Sequence, residues 1–387
     1  MPMTMIRRTL VATACTLALT VGSAHAQATI KIASLQELSG TGATVGTNFK
    51  NGMDLAIKEI NAAGGILSKK IEVTHSDTQS NPGVAKGLAQ KAVDDDVLAV
   101  FGPGFSGSMI VSMNETRRAK IPNFTGAEAA SITAQGNPYV YRSSFGQASS
   151  MPKVARYMAN NLKAKTVAVI YVNNDFGKGG SDMVTKSLGD LGVKVVANIS
   201  TEPGKLDFAA PVLQARQSNA DVIFVYTNEE EAARALRELR KQGITKPIVG
   251  ETVLTSQKVI ELAGDAANGA VAHIGLSVDA PVPSMRAFRA KFERDYHYIP
   301  DHNGIKGYTS VYVMKAALEK AGKIDRAALA AAMKGLTVKA AREPGVLMDV
   351  SYDDKGDIDR ESFLVEVKNG KQEVKEVLPA LGAKKGG

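Results

Sequence analysis

Cysteine is all but missing from this 387-residue chain, and its one copy, Cys15, lies in an N-terminal stretch that reads as a secretory leader. The rest of the chain therefore has no disulfide and no cysteine metal site. Histidine is scarce as well. Beyond the leader only His75, His273, His297 and His302 remain, with no H-x-x-x-H pair to hold a catalytic metal. Long apolar runs are also missing: after the leader no segment approaches the roughly 18 uncharged apolar residues that a membrane helix needs. Basic residues are in excess but not gathered. Pairs such as Lys69-Lys70, Arg117-Arg118 and Lys384-Lys385 are scattered, with no aromatic residues interleaved. They read as solvated surface, and nucleic-acid binding has no specific support.

The leader is recognised by its parts: Arg7 and Arg8, an apolar run over 10–21, and Ala24-His25-Ala26 as a cleavage site. A mature chain beginning at Gln27 keeps 45 of the 47 basic residues and all 39 acidic ones, a net charge of +6. An exported, soluble product is expected. With 44% hydrophobic and 22% charged residues the chain is globular material, long enough for two domains of about 150–200 residues each.

The stretch 97–133 carries one device twice. An apolar strand, 97–101, runs into Gly102, Gly104, Ser106, Gly107 and Ser108 before a helix over 109–120, and a second strand, 121–124, runs into Thr125, Gly126 and Ala127. Such turns leave the first amides of the following helix without internal partners, so the pair is expected to form an anion cradle. Three chemistries compete for the first turn. Gly102, Gly104 and Gly107 satisfy the dinucleotide fingerprint, although Pro103 interrupts it and a full βαβα segment precedes it. Residues 104–108 fall one glycine short of a nucleophile elbow, and no histidine lies on a suitable loop to serve it; each mature histidine reads as surface or strand filler. The third chemistry is non-covalent binding of a carboxylate by Ser106. Against all three stands plain capping by Ser106 or Ser108.

Strands and helices alternate along both halves of the chain. Strands are expected at 29–33, 70–76, 139–143, 166–171, 193–199, 221–226, 247–250 and 270–277, with helices at 49–62, 82–93, 149–162, 208–218, 229–242, 284–296, 307–321 and 326–335. Two successive runs of this kind imply two parallel sheets covered on both faces, with ligands bound beyond the strand ends. Late in the chain Asn369-Gly370 marks a hairpin between 362–368 and 373–377. Asp353, Asp354, Asp357 and Asp359 lack the order of a calcium loop and read as a polar turn.

Several phrases together resemble the periplasmic solute-binding proteins of the branched-chain amino acid (leucine/isoleucine/valine) class. They are LSGTGATVGTNFKNGMDLAIKEINAAGGI at 38–66, NDFGKGG at 174–180, ETVLT at 251–255 and YDDKGDIDRESFLVEVKNG at 352–370. The resemblance covers nearly all of the mature chain. It implies an α/β chain of type I periplasmic-binding-protein fold, in which two doubly wound parallel-sheet lobes are joined by a three-crossover hinge. Lobe one would comprise 27–143 and 277–347, and lobe two 144–276 and 348–387. It further implies a monomer in the periplasm that uses no cofactor and catalyses no reaction, and that hands an amino acid to the membrane permease of an ABC transporter. Short amides and aromatic carboxylates are the alternative ligands, and an exported dinucleotide-dependent oxidoreductase is the alternative of another kind.

Carried over by position, the resemblance assigns the ligand carboxylate to Ser106 with Gly126, Ala127 and Glu128, the ammonium to Glu251, and an aromatic contact to Phe176. Glu128 departs from the pattern. It is expected to face solvent from a helix first turn; turned inward, it would repel a bound carboxylate and imply a ligand other than a simple aliphatic amino acid.

Overall fold

The computed structural model describes residues 29–381. The signal segment 1–26 and Gln27 lie outside the described residues. The first sheet takes β1 (Ile30–Gln36), β2 (Ile71–Asp77), β3 (Ala99–Phe101), β4 (Asn123–Thr125) and β5 (Val140–Arg142), in the order β2-β1-β3-β4-β5 with every neighbour parallel. Between its strands run α1 (Ala43–Ala62), α2 (Pro82–Asp94), α3 (Ser106–Arg118) and the short α4 (Ser131–Ala134).

After α5 (Gln147–Arg156) a second sheet forms from β6 (Thr166–Val172), β7 (Lys194–Thr201), β8 (Val222–Tyr226), β9 (Ile248–Glu251) and β10 (Val271–Ile274). Here α6 (Asp175–Gly189), α7 (Ala209–Gln217), α8 (Glu229–Lys241) and α9 (Gln257–Ala263) make the crossovers. The chain then returns to the first sheet with α10 (Pro283–Tyr296), α11 (His302–Ala321) and α12 (Arg326–Met333), and forms a small ribbon of β11 (Thr337–Val338) and β12 (Val350–Ser351). Finally β13 (Ser362–Lys368) and β14 (Lys371–Leu378) add antiparallel strands to the second sheet, whose order is β14-β13-β10-β9-β8-β6-β7.

The periodicities explain these placements. All five residues of β8, Val-Ile-Phe-Val-Tyr, are buried, as a central parallel strand covered on both faces requires. The edge strand β7 alternates exposed and part-buried positions instead. Asn369 and Gly370 both have positive φ, 49° and 73°, and they join β13 to β14 in the tight turn their dipeptide favours.

Several element boundaries differ from expectation, and two of them matter most for the site. The helix expected from 307 starts five residues earlier, because Asp301 accepts hydrogen bonds from the amides of Asn303 and Gly304 and so caps α11. The segment 174–180, where no helix was expected, is the start of α6, with Asn174 as its cap.

Helix α11 is placed by contact of backbone with backbone. A Cβ on Gly52 of α1 would overlap the Gly304 carbonyl, and one on Gly307 would overlap the Phe49 carbonyl. Glycine alone allows the two helices to cross this closely, and the crossing fixes the first turns of α11 against the strand ends of the first sheet.

Candidate functional site

Between the two sheets lies a cleft of about 290 Å³. One wall comes from the loop ends of the first sheet and the N-terminus of α11, the other from the N-termini of α6 and α8.

The first turn is not an open cradle. Glu37, fully buried just after β1, accepts hydrogen bonds from the amides of Gly104 (3.0 Å, Oε2) and Phe105 (3.1 Å, Oε1). The anion expected there is thus one of the chain's own carboxylates. Burial pushes the Glu37 carboxyl up to about 7, although both amides pull it the other way. Ser106 does not cap α3, whose N-cap is Phe105 with no side-chain bond. Its Oγ accepts the Ala129 amide at 3.1 Å, tying the second turn to the first and leaving its own proton for the cleft that it lines. Ser108 also lines the cleft; it is 1% exposed and its hydroxyl has no partner. No hydrogen bond joins either serine to a histidine among the described residues.

The second turn is held from behind. Arg142 donates to the carbonyls of Ala127 (2.5 Å) and Ala129 (2.7 Å) and to Thr133 Oγ1 (3.0 Å), while its Nε pairs with Asp357. Asp357 belongs to the acidic turn of the sequence, and its amide donates to Asp353 Oδ1. The Ala127 amide is already used by Thr125 Oγ1, at 3.0 Å, and Ala127 does not line the cleft; Gly126 and Glu128 do.

Glu128 does not face solvent. It is 8% exposed and pairs with Lys306 Nζ at 2.8 Å, which also donates to the Gly126 carbonyl at 3.1 Å. The expected helix start is absent because α4 begins only at Ser131, and the turn folds inward onto α11. Burial raises the Glu128 pKa and the ammonium of Lys306 opposes that rise. His302, expected at the surface or in a strand, is the first residue of α11; it lines the cleft, and burial beside Lys306 keeps it neutral.

On the opposite wall Phe176 stacks on Tyr226, with ring centroids 4.2 Å apart. Gln147 fixes the pair, donating to the Phe176 carbonyl (2.8 Å) and the Tyr226 hydroxyl (3.1 Å) while accepting the Ala130 amide (3.2 Å). Glu251 ends β9 but is not among the lining residues. Its Oε2 accepts the Thr252 amide at 2.6 Å, and its Oε1 accepts the Thr252 hydroxyl at 2.7 Å and lies 3.2 Å from His273 Nδ1. On this wall Asp175 and Glu229 line the cleft, and Glu229, the first residue of α8, is 5% exposed with Oε1 unpartnered.

Sequence reasoning missed Glu229, Ser108, Lys306 and His302 as site residues. A usable signal existed for Lys306, the single charge in the otherwise uncharged run Asn303-Gly-Ile-Lys-Gly-Tyr-Thr-Ser-Val-Tyr-Val-Met314.

Comparison with known proteins places this geometry. Residues 29–372 match the family model described as periplasmic binding protein. The chain is 28% identical over 321 residues to the Leu/Ile/Val-binding protein homolog 1 of Brucella abortus, covering 83% of this chain and 85% of that one. A solved structure of the branched-chain amino acid transporter substrate binding protein LivJ from Streptococcus pneumoniae, in complex with isoleucine, superposes with a TM-score of 0.82. It is 27% identical and covers 91% of this chain and 100% of that one. A solute binding protein from R. palustris in complex with benzoate, 21% identical, shares the fold with a TM-score of 0.84 and covers 92% of this chain and 98% of that one. The chain belongs to the periplasmic binding protein family: it is an extracytoplasmic solute-binding protein of type I fold, with its cleft between two α/β lobes.

Proposed function

We propose that this protein serves an ABC importer and carries a small amino acid with an apolar side chain, branched-chain amino acids first, from the cleft to the membrane permease. One observation carries the reading: the cleft sets buried, unfilled hydrogen-bonding atoms beside apolar surface, and each lobe supplies part of both. On lobe one, Ser106 and Ser108 have hydroxyl protons to give, and Lys306 uses two of its three N–H groups on Gly126 and Glu128. These donors suit a carboxylate, and the Lys306 ammonium offsets the repulsion that Glu128 alone would exert. An aliphatic side chain would pack on Phe176, Val253 and Phe105. The isoleucine held by the Streptococcus pneumoniae protein supports the same ligand class.

A second reading rests on the Phe176–Tyr226 stack, whose flat face suits an aromatic acid. Benzoate in a protein of the same fold shows that the architecture accommodates such ligands. A thermal-shift series with leucine, isoleucine, valine, leucinamide and benzoate decides between the readings. The amino acids should raise the melting temperature progressively with concentration. A rise with benzoate alone would replace the first reading by the second.

We further propose that the lobes are hinged where the chain passes between the sheets, at 143–146, 275–282 and 352–361, the last beginning later than the boundary at 347 that the resemblance implies because β12 pairs with β11, and that each lobe moves as a rigid body about them.

A further inference from the structure

Buried polar atoms almost always have partners, so those that do not mark strain or an absent ligand. Two such atoms line the cleft from opposite sides: Ser108 Oγ on lobe one and Glu229 Oε1 on lobe two. Neither residue has a structural task for that atom. α8 is capped by Asn228 and Glu231, which form a reciprocal box, and the Glu229 carboxyl takes a bond from its own amide, which leaves Oε1 over. The α3 N-cap is Phe105, three residues before Ser108, and it makes no side-chain bond. The surroundings of the pair add charge of one sign. Asp175 and Glu128 also line the cleft, and Asp301 stands behind its wall, with Lys306 the one cation that lines it. Glu251, to which the resemblance assigned the ammonium, already has both its oxygens engaged by Thr252 and His273.

We propose that Glu229 is the residue by which lobe two selects a ligand bearing a positively charged nitrogen, with the Ser108 hydroxyl oxygen accepting from the same nitrogen while its proton is left for the carboxylate. Such a group gives Glu229 the donor it lacks, and a plain carboxylate meets repulsion there. The inference deepens the amino acid reading and rests on it only for the apolar part of the ligand.

Three probes separate the two ideas: L-leucine, 3-methylbutylamine, which lacks the carboxyl group, and 4-methylpentanoate, which lacks the amine. Calorimetry at pH 8 would compare the wild-type chain with Glu229→Gln, Ser108→Ala and the exposed neighbour Glu230→Gln. Glu229→Gln should weaken leucine and the amine about ten- to hundredfold, the range expected for one charge-assisted hydrogen bond. Ser108→Ala should weaken both by less, and Glu230→Gln should change neither. A purely structural acid would lose stability on conversion to Gln. Here the melting temperature of Glu229→Gln without ligand should stay level or rise, because an unpaired buried charge is removed. If leucine binds the wild type and Glu229→Gln leaves its affinity within threefold, the inference falls and the amino acid reading stands. If only the amine binds and needs Glu229, the inference stands and that reading falls. Binding of 4-methylpentanoate alone, or of none of the three, overturns both.

Discussion

Glu128 and Lys306 form a pair whose members cannot be separated without consequence. Both are nearly out of solvent, and removing one leaves the other as an uncompensated buried charge, which costs about 3–5 kcal/mol. Lys306→Met should therefore lower stability by that order in denaturant unfolding. The double variant Lys306→Met with Glu128→Gln should recover a large part of the loss, because it leaves no charge stranded. Recovery of nothing would mean that the Lys306 stem, and not the pair, holds α11 in place. Acids without such a partner set the pH behaviour. Burial pushes Glu37, Glu229 and Glu251 up to about 7 and Asp301 to about 6, above their values in an unfolded chain. Through these four acids the folded state holds more protons than the unfolded one between about pH 4.5 and 7, so their contribution is present below that window and lost as pH rises through it, while the buried neutral His273 and His302 oppose it in part below about 6.5. The ligand-free protein should melt at a higher temperature at pH 5.5 than at pH 8, and Glu229→Gln should flatten part of the slope. Of the residues named in advance, Ser106, Gly126, Glu128 and Phe176 line the cleft; the turns of Ser106 and Gly126 were readable in the residues themselves, whereas Glu128 and Phe176 came with the family resemblance. Glu229 stayed hidden inside Glu229-Glu230-Glu231, where all three acids are equally plausible helix-start residues and only the sheet decides which one turns inward.

Whole elements were more legible than their ends. The buried apolar runs that became β6 and β8, and the amphipathic segment that became α8, were readable because burial imposes a period on the sequence. Helix starts were harder, since they depend on which side chain captures an amide. Asp301 captures two and brings His302, Asn303 and Lys306 into α11; a reading that begins this helix at 307 leaves them in a loop. The N-termini of α3 and α6 illustrate a second constraint. A Cβ built on Gly107 would stand 3.0 Å from Asp175 Oδ2 across the mouth of the cleft. Gly107 has no positive φ, and in its own lobe the Cβ meets only Pro82, at an ordinary 3.8 Å, so a side chain there leaves the backbone unstrained. Gly107→Leu should leave the melting temperature of the ligand-free protein close to wild type and weaken ligand binding at least tenfold by wedging the lobes apart. Equal affinity in the two proteins would show that the mouth does not need to be this narrow.

At the scale of the whole molecule, two strand-and-helix series implied two sheets, and the chain forms them. The return of β13 and β14 to the second sheet was readable only through the family resemblance, because pairing between strands so distant in sequence leaves no local trace. If the three passages between sheets act as a hinge, a ligand gripped by both walls favours the closed arrangement by its difference in affinity for the two states. Saturating ligand should then shrink the radius of gyration in small-angle scattering while far-ultraviolet circular dichroism stays unchanged. A rise in melting temperature with no change in scattering would place the whole of recognition on one lobe. The carboxylate of Glu37 gives the empty molecule a particular character. Seated on the amides of Gly104 and Phe105, it acts as a permanent tenant of the first strand-end turn. The turn is therefore furnished before any cargo arrives and stays so after release, and under the proposed hinge the difference between loaded and empty protein is carried by how the lobes stand to each other.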